Sequence, residues 1–300
     1  MYLDTYAIVV SFNPVMKDLF RLCQVLDNAN INVLVIDNSE LENVIFDEFS
    51  TLNNFTAIKL FSNHGIANAQ NIGIRHALAR NAKYIIFFDQ DSIINANFLF
   101  HLLDPFKNDE VKISAPLFVD TKSNIFIPVY RVNHIGVLSR SNIENIDISN
   151  NFVVISSGMA VKREVFDVVG LMKEEYFIDY VDTDFCFRCF SNKIKIYINK
   201  KAIMNHSVGD RLIPFMGFNF FVHKASRVYY QTRNLILFSR KNYVPLIYRL
   251  RELLSFFFHQ IILLLFIYRN KQQYLKALAY GLSDGLKGIS GKISSKSHIQ

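Results

Sequence analysis

The stretch Tyr84-Ile85-Ile86-Phe87-Phe88-Asp89-Gln90-Asp91-Ser92 decides the fold of this chain. Its five consecutive apolar or aromatic residues predict a strand that is buried on both faces, as in a parallel sheet. Asp89 and Asp91 follow, and because an unpaired carboxylate is costly to bury, they are expected at the sheet edge where α/β proteins bind ligands. Side chains two residues apart in extended chain point the same way, so both carboxylates can face one Mg²⁺ or Mn²⁺ ion. A solvated turn is the alternative interpretation of an isolated Asp-x-Asp.

Strands and helices alternate along the chain around this stretch. Strand-like runs are predicted at residues 5–10, 32–36, 57–61, 84–88, 111–115, 152–155 and 195–198, and helices at 67–80, 98–106 and 164–169. Asn13 suits the N-cap of a first helix, with Pro14 at its first helical position. The alternation predicts βαβ units, and therefore an α/β fold with a mostly parallel sheet. Residues 117–151 lack a clear pattern, so loops and short strands are expected there.

A second concentration of carboxylates lies downstream, where Asp179, Asp182 and Asp184 stand within six residues among aromatic side chains. Acidic residues are common at helix N-termini, which explains one or two of them. Three carboxylates in such a short segment are harder to explain in this way. The segment is therefore a candidate for chemistry as well as for a helix start.

Basic residues are concentrated at the C-terminal end. The net charge is +7, but residues 223–300 carry 13 Lys and Arg against 2 Asp and Glu, and residues 1–222 carry 20 against 24. Because the same region is rich in aromatic and aliphatic residues, it favours an anionic membrane surface over nucleic acid. The apolar run from Leu253 to Tyr268 has 16 residues, fewer than the about 20 that span a bilayer. We expect a helix in the membrane interface, and the alternatives are a spanning or re-entrant helix or one packed on protein.

The remaining features restrict the location and the class of protein. Residues Met1 to Asp4 show no leader-like pattern, which favours a cytoplasmic location. Three cysteines do not suggest a disulfide framework. Cys186 and Cys189 form a C-x-x-C, but the second pair that a zinc site needs is missing from the sequence.

Eight stretches occur in a characteristic order. They are Val10-Ser11-Phe12-Asn13, Ile36-Asp37-Asn38-Ser39, Asn63 to Gly73, Phe87-Phe88-Asp89-Gln90-Asp91-Ser92, Ser157-Gly158, Ile178 to Arg188, His206, and Tyr229-Tyr230 with Arg233-Asn234. Together they resemble the inverting family-2 glycosyltransferases with the GT-A fold, in particular the bacterial rhamnosyltransferase branch, over about residues 5 to 240. The resemblance implies a GT-A catalytic domain in residues 1–222, with a Rossmann-like nucleotide-sugar-binding sheet flanked by helices. Residues 223–300 would form an amphipathic, membrane-associated helical extension.

The resemblance also implies roles for individual residues. Asp182 would be the general base for the acceptor hydroxyl, with Asp179 and Asp184 raising its proton affinity through like charge. Asp37 would accept a hydrogen bond from the pyrimidine N3–H, and Gln90 receives no role. The donor nucleotide would be bound by Phe12, Asn13, Asp37, Asn63, Gln70, Asn71 and Asp89; a divalent metal, Mg²⁺ or Mn²⁺, by Asp89, Asp91 and His206; and Ser157, Gly158, Asp179 and Asp184 would support the acceptor side.

The function implied by the resemblance is the transfer of L-rhamnose from dTDP-β-L-rhamnose to a hydroxyl of a lipid-linked saccharide in O-antigen or other surface polysaccharide assembly. The enzyme would work as a peripheral protein on the inner face of the cell membrane. A family-2 transferase that uses a UDP-hexose or a UDP-N-acetylhexosamine is the main alternative. A non-catalytic membrane-bound protein leaves the acidic groups unexplained, and a nucleic-acid-binding role does not fit the acidic first 222 residues. The oligomeric state is open.

Overall fold

The computed structural model describes residues 4–40, 46–121, 125–146, 151–206, 211–215 and 218–293. The strands are β1 (Thr5–Ser11), β2 (Asn32–Asp37), β3 (Phe55–Lys59), β4 (Tyr84–Asp89), β5 (Ile113–Asp120), β6 (Val129–Val132), β7 (Leu138–Ser141), β8 (Asn151–Val153), β9 (Ala160–Lys162), β10 (Ile196–His206), β11 (Arg211–Phe215) and β12 (Phe218–Val222). The α-helices are α1 (Met16–Asn28), α2 (Ile66–Ala79), α3 (Ala96–Leu103), α4 (Arg163–Val169), α5 (Val181–Ser191), α6 (Ala225–Ser239), α7 (Leu246–Ile262) and α8 (Lys271–Lys287). Short 3₁₀ turns cover Asp47–Thr51, Asp104–Lys107, Ile143–Asn145 and Glu174–Tyr176, and a π-helical turn, Leu263–Ile267, continues α7.

The main sheet has seven strands in the order β10-β5-β9-β4-β1-β2-β3. Neighbouring strands are parallel except where the short strand β9 pairs with β4 and β5. In β4, Ile85 and Phe87 pack into the core on one face of the sheet, and Ile86 and Phe88 pack into the core on the other. This alternation is the two-residue period of a strand that is covered on both sides. The predicted α/β fold with a mostly parallel sheet is confirmed.

Helices cover both faces of this sheet. Side chains of α2, α4 and α5 join the core on the Phe87 face, and side chains of α1 and α3 join the core on the Phe88 face. Residues 117–151, which showed no clear pattern, contain the end of β5 and most of a small antiparallel sheet in the order β7-β6-β8. The longer β5 follows from its partner, because β10 pairs with it in parallel as far as Asp120.

The first helix begins later than the sequence predicts. Val15, not Asn13, occupies the N-cap position, and Asn13 adopts a positive φ of 47°. Its backbone N–H donates to Ser39 Oγ at 2.8 Å, so residues 12–14 are held against the end of β2. The prediction of Asn13 as N-cap is therefore wrong, because this contact across the sheet edge sets its backbone instead.

The C-terminal helices pack on the preceding part of the chain. Leu237 and Phe238 of α6 belong to the core on the Phe87 face, so the predicted boundary at residue 222 rests on composition and stays a prediction. α8 crosses α6 at very short range: a Cβ on Gly281 would lie 2.7 Å from the Tyr229 carbonyl oxygen, and one on Gly285 would lie 2.8 Å from Ile236 Cβ. Glycine at these two positions lets the helix backbones meet.

Helix α7 and the π-helical turn form one apolar helix of 22 residues, Leu246–Ile267. Among the residues that the structure describes, it is the one helix long and apolar enough to cross a membrane. The predicted run of 16 residues was too short, so helix length no longer argues against a span. The helix is nevertheless packed on protein along one side, where Tyr248 is in the main core and Gln260 is buried.

Candidate active site

The ends of β1, β2 and β4 meet at one edge of the sheet. Ser11 pairs with Asp37, and Val10 pairs with Asp89, so these strand ends lie side by side. Asp37 is buried, and its Oδ1 accepts hydrogen bonds from Ser11 Oγ at 2.9 Å and from Ser39 Oγ at 2.6 Å. Such hydrogen bonds compensate the burial of a carboxylate and fix its orientation.

Ser157 and Gly158 form hydrogen bonds with the end of β4 and with the turn that follows it. The Asp89 backbone N–H donates to Ser157 Oγ at 3.3 Å, and the hydroxyls of Ser157 and Ser92 are 3.1 Å apart. Gly158 has a φ of +73°, and its N–H donates to the Phe87 carbonyl at 2.6 Å. A Cβ at this position would also lie 2.8 Å from the ring of Pro116. Ser157 and Gly158 therefore shape the Asp89 turn.

Gln90 holds the backbone of Phe12 at this edge, a role that was not predicted from the sequence. Its Oε1 accepts from the Phe12 backbone N–H at 2.6 Å, and its Nε2 donates to the Phe12 carbonyl at 3.3 Å. The Phe12 ring is 44% exposed at the rim of the edge. The only signal in the sequence was the position of Gln90 between the two aspartates, which does not indicate a partner 78 residues away.

The side chains of Asn63 and Asn71 form hydrogen bonds with other residues of the protein. Asn63 Oδ1 accepts from the Gly65 N–H at 3.0 Å and from Asn38 Nδ2 at 3.2 Å, which closes the loop before α2. Asn71 is buried, and its amide bonds both the N–H and the carbonyl of Met172 at 2.9 Å, and Glu174 at 2.7 Å. These hydrogen bonds connect α2 to the segment around Met172 and Glu174. They do not support the predicted contact of Asn71 with the donor.

Asp182 lies half-buried in the first turn of α5. It is near Asp89, because Ser156 forms hydrogen bonds with Asp182 and the next residue, Ser157, accepts from the Asp89 backbone N–H. Burial is the largest cause that raises the pKa of its carboxyl; hydrogen bonds from the Ser156 backbone N–H and hydroxyl lower it, the charges of Asp89 and Asp179 raise it, and together these effects bring it to about 6. Gln70 Nε2 donates to Ser156 Oγ at 3.0 Å, so Gln70 acts on Asp182 through Ser156. A carboxylate with this proton affinity is suited to take a proton near neutral pH.

Asp179 and Asp184 flank Asp182 but have different surroundings. Asp179 is near the surface and pairs with Arg227, Oδ1 to Nη2 at 3.0 Å. Asp184 is fully buried and accepts from Arg188 Nε at 2.7 Å and from the hydroxyls of Tyr176 and Tyr243. The like charge that acts on Asp182 comes from Asp89 and Asp179. Asp184 supports α5 from the interior.

The segment that leads into α5 is held in an unusual conformation. Phe177, Asp179 and Tyr180 have φ of 64°, 62° and 64°, a region that costs non-glycine residues free energy and recurs at functional sites. Two fully buried neighbours on α6 hold it in place. Asn234 Nδ2 donates to the carbonyls of residues 176, 178 and 179 at 2.8, 2.6 and 3.2 Å, and Arg233 Nη2 donates to the carbonyl of residue 176 at 3.0 Å.

The residues predicted to hold a metal are only partly described. Asp89 is half-buried and Asp91 exposed at the end of β4, and both offer the oxygen ligands that Mg²⁺ and Mn²⁺ prefer. A backbone bridge between Ile93 and Asn205 brings the end of β10, and hence His206, next to this turn. The His206 side chain lies outside the described part of the chain. Among described residues, no three His, Cys, Asp or Glu side chains cluster as a metal site would require.

The sequence matches known proteins along most of its length. Residues 8–170 match the model of "Glycosyl transferase family 2". The chain is 37% identical over 289 residues to the dTDP-rhamnosyl transferase RfbF of Shigella flexneri, covering 96% of this chain and 97% of that protein.

Solved structures share the fold at much lower identity. S. aureus TarS residues 1–349 in complex with UDP-GlcNAc superpose with a TM-score of 0.58 at 15% identity, covering 96% of this chain and 82% of that one. GalNAc-T7 with UDP, GalNAc and Mn²⁺ gives a TM-score of 0.56 at 13% identity, covering 94% of this chain and 58% of that one. The family model, the long match at 37% identity and the shared architecture together show that this chain is a glycosyltransferase of family 2 with the GT-A fold.

Proposed function

We propose that this enzyme transfers L-rhamnose from dTDP-β-L-rhamnose to a hydroxyl of a lipid-linked saccharide, with inversion at the anomeric carbon, in the assembly of a surface polysaccharide such as O-antigen. The observation that carries the proposal is the proximity of Asp182 to Asp89, which the adjacent Ser156 and Ser157 hold by hydrogen bonds, with the Asp182 pKa raised to about 6. The choice of donor is supported by the 37% identity to a dTDP-rhamnosyl transferase.

The donor would lie along the ends of β1, β2 and β4. Asp37 faces this edge with a fixed carboxylate and would accept the N3–H of the thymine ring, as the family resemblance implies. Phe12 and Asn13 would flank the nucleoside, since Phe12 is exposed at the rim and is held there by Gln90. Asp89 would contact the ribose or diphosphate side.

A divalent cation, Mg²⁺ or Mn²⁺, fits the oxygen donors of Asp89 and Asp91, and His206 would complete its protein ligands. When bound, it would neutralise charge that develops on the departing diphosphate. The requirement itself is tested by loss of nucleotide binding, measured by calorimetry with dTDP, when the enzyme is stripped with EDTA and its recovery when Mn²⁺ or Mg²⁺ is added back.

Asp182 would remove the proton of the acceptor hydroxyl as its oxygen attacks the anomeric carbon on the face opposite the diphosphate. The C–O bond to the acceptor forms as the C–O bond to the diphosphate breaks, and the proton stays on the Asp182 carboxyl. One displacement inverts the anomeric centre, so a β-L-rhamnosyl donor gives an α-L-rhamnoside. Ser156 holds the carboxylate in position for this step through two hydrogen bonds.

The apolar helix α7 would seat the enzyme in the inner face of an anionic membrane. Its outward side chains are largely exposed, Leu254 by 72% and Phe258 by 66%, and residues 223–300 carry the excess of basic charge. The opposite side of the helix is packed on protein, which favours a helix in the interface over one that spans.

A vesicle-binding measurement tests this membrane site. Replacing Leu254 and Phe258 by Ser should reduce binding to vesicles that contain anionic lipid by at least about tenfold, since each buried apolar side chain contributes about 1.5–3 kcal/mol. Phe100→Ser on α3, also exposed, is the control and should bind as the wild type does. Unchanged binding by the double variant would place the membrane contact elsewhere.

A donor screen tests the activity. The enzyme with Mn²⁺ or Mg²⁺ is given dTDP-rhamnose, dTDP-glucose, UDP-glucose or UDP-N-acetylglucosamine, and release of the nucleoside diphosphate is followed. We expect dTDP-rhamnose to be consumed with the highest kcat/KM, and the Asp182→Asn variant sets the background. Faster turnover of a UDP-sugar would instead support the alternative donor class, a UDP-hexose or UDP-N-acetylhexosamine.

A further inference from the structure

A cavity of about 440 Å³ lies directly beside the segment that carries Asp182. One wall is the segment before and at the start of α5, including Asp179 and Thr183, and the opposite wall is α7, including Glu252, Phe256 and His259. The volume lies within the range of roughly 300–1,000 Å³ that is typical of small-molecule sites. Asp182 is not one of the lining residues, but the cavity borders both Asp179, whose charge acts on Asp182, and Thr183, the next residue along α5.

The lining fits a neutral, hydroxyl-rich ligand. Aromatic faces, including Phe256 and Tyr248, alternate with groups that can hydrogen-bond hydroxyls, including Glu252 and Gln231. Among the described residues that line the cavity there is no Lys or Arg, so an anionic diphosphate would meet carboxylates without a cationic partner. A sugar ring presents C–H faces and hydroxyl edges, which match these two kinds of surface.

The two carboxylates of the cavity are held in place by charges that lie behind them. Asp179 pairs with Arg227 at 3.0 Å, and Glu252 pairs with Arg251 and accepts a hydrogen bond from Tyr248. Their negative charge is therefore partly compensated, and their orientation is fixed before a ligand arrives. Fixed acceptors of this kind discriminate between hydroxyl positions, because a misplaced hydroxyl leaves a buried polar group unpaired.

Helix α7 presents two different faces. Glu252, Phe256 and His259 follow the i, i+4, i+7 spacing and face the cavity, whereas Leu254 and Phe258 face outward and are exposed. His259 is stacked against Phe220, with ring centroids 5.5 Å apart, which fixes its ring in the cavity wall. The same helix thus borders both the proposed membrane side and the cavity.

We propose that this cavity is the subsite for the acceptor sugar, and that Glu252 and His259 of α7 recognise its hydroxyl groups. The C-terminal helical region is then part of the acceptor site as well as a membrane contact. This inference rests on the proposed glycosyl transfer, because it takes Asp182 as the base that would deprotonate a hydroxyl of the acceptor held beside it.

A fluorescence experiment tests binding without relying on catalysis. The sequence contains no Trp, so Phe256→Trp places a single reporter in the cavity wall, and Phe258→Trp places a matched reporter two residues away on the outward face. Methyl glycosides of rhamnose, glucose, galactose, mannose, N-acetylglucosamine and N-acetylgalactosamine are titrated in the presence of dTDP and Mn²⁺. We expect at least one of them to change the emission of the Phe256→Trp reporter saturably and to leave the Phe258→Trp reporter unchanged. If none changes the cavity reporter, or if both reporters respond alike, the subsite assignment is wrong.

A kinetic experiment tests recognition with the least disruptive substitution. With the methyl glycoside that serves best as acceptor, Glu252→Gln should raise the acceptor KM about tenfold and leave the donor KM close to that of the wild type. Glu164→Gln, an exposed carboxylate on α4 that pairs with Lys112, is the control. An unchanged acceptor KM in Glu252→Gln would overturn the assignment of the cavity while leaving the proposed rhamnosyl transfer intact. A wild-type enzyme that consumes no nucleotide sugar would instead refute the proposed function, and the fluorescence titration would still decide the cavity.

Discussion

Two walls of the proposed active site are built by different means. The wall proposed to bind the donor, here called the donor wall, comprises residues 11–13, 37–39 and 89–92 and consists of strand ends whose positions follow from the register of parallel strands. The wall proposed to bind the acceptor, here called the acceptor wall, comprises residues 175–184, residues 233–234 and helix α7, and includes a strained segment that side chains from α6 hold in place. Its parts are about 50 to 80 residues apart in sequence.

Substitutions in the two walls should therefore have different consequences. The backbone of the donor wall is fixed by the sheet, so changing a side chain there removes a contact and leaves the wall in place. The backbone of the acceptor wall depends on individual buried side chains, because positive φ at three non-glycine residues is kept only where the surroundings impose it. Substitutions there should therefore affect stability and the chemical step together.

The largest expected effect is that of Asp182→Asn, which removes the proposed base. Transfer should fall by about 10²–10⁴-fold, as is usual when a general base is lost. Calorimetry should show dTDP binding at wild-type affinity, since the donor wall is untouched.

Asp184→Asn is the matched control, two residues along the same helix. It breaks the buried contact with Arg188, so it should lower the melting temperature strongly, whereas Asp182→Asn should not. Transfer by Asp182→Asn at the wild-type rate would remove Asp182 from the mechanism and leave the acceptor wall without a base.

The pH dependence of activity follows from the raised pKa of Asp182. The base is active when ionised, so kcat/KM should fall about tenfold per pH unit below about pH 6, where the carboxyl becomes protonated. The measurement is a rate profile from acidic to neutral pH. Affinity for dTDP in the same buffers is the control for loss of folding.

Stability should move in the opposite direction over part of this range. The folded pKa of about 6 lies above the ordinary value of 3.8, so the protonated Asp182 carboxyl stabilises the folded state at acidic pH. This stabilisation is lost as the pH rises from about 3.8 to about 6, because ionising the carboxyl costs more free energy in the folded state than in the unfolded state. The melting temperature of the wild type should therefore fall relative to that of Asp182→Asn as the pH is raised through this interval, measured by thermal unfolding at several pH values. A rate profile that is flat down to pH 5 would contradict the assignment.

Asn234→Ala should weaken the acceptor wall while sparing the donor wall. It removes three hydrogen bonds to the strained segment, so we expect a loss of about 1–3 kcal/mol in the free energy of unfolding. We also expect kcat to fall by about tenfold with little change in donor KM, because Asp182 is less well positioned.

Leu22→Ala, in the core on the opposite face of the sheet, is the control for destabilisation alone. It should cost about 2–5 kcal/mol of stability and leave kcat unchanged at temperatures well below unfolding. If Asn234→Ala loses stability but keeps kcat, the hydrogen bonds from Asn234 to the segment before α5 stabilise the fold without positioning the base.

The donor wall could be predicted from the sequence better than the acceptor wall, and for a physical reason. An apolar run that ends in polar residues marks a buried strand and its sheet edge locally, so the amino-acid pattern is enough to place Asp37 and Asp89 at one edge, where the strand pairing puts them. Hydrogen bonds across the edge could not be predicted, because they depend on which strands are neighbours. Gln90 holding Phe12, and Asn13 leaving the N-cap for a contact with Ser39, are the two examples.

On the acceptor wall, similar residues turned out to have different environments. Asp182 and Asp184 are alike in sequence, but Asp182 lies near Asp89 and bonds to Ser156, whereas Asp184 is buried with Arg188, and only the packing of α5 distinguishes them. Arg233 and Asn234 matched the family pattern, yet nothing local indicated that they hold the backbone of residues 175–179. The cavity beside α7 could not be predicted from the sequence either, because it forms only where three segments that are distant in sequence meet.

Gln90→Ala should have the smallest effect and should be confined to the donor wall. Losing the two hydrogen bonds that hold the Phe12 backbone removes about 0.5–1.5 kcal/mol of positioning, so we expect donor KM to rise about two- to tenfold. The kcat should stay within about twofold of wild type, because Asp182 and its support from Ser156 are unaltered. Gln24→Ala, on the exposed side of α1, should change neither constant. The outcome is compared directly with that of Asn234→Ala. If Gln90→Ala lowered kcat and left donor KM alone, the two walls would be coupled through the backbone of the Asp89 turn, and the separation into a sheet-fixed donor side and a side-chain-held acceptor side would fail.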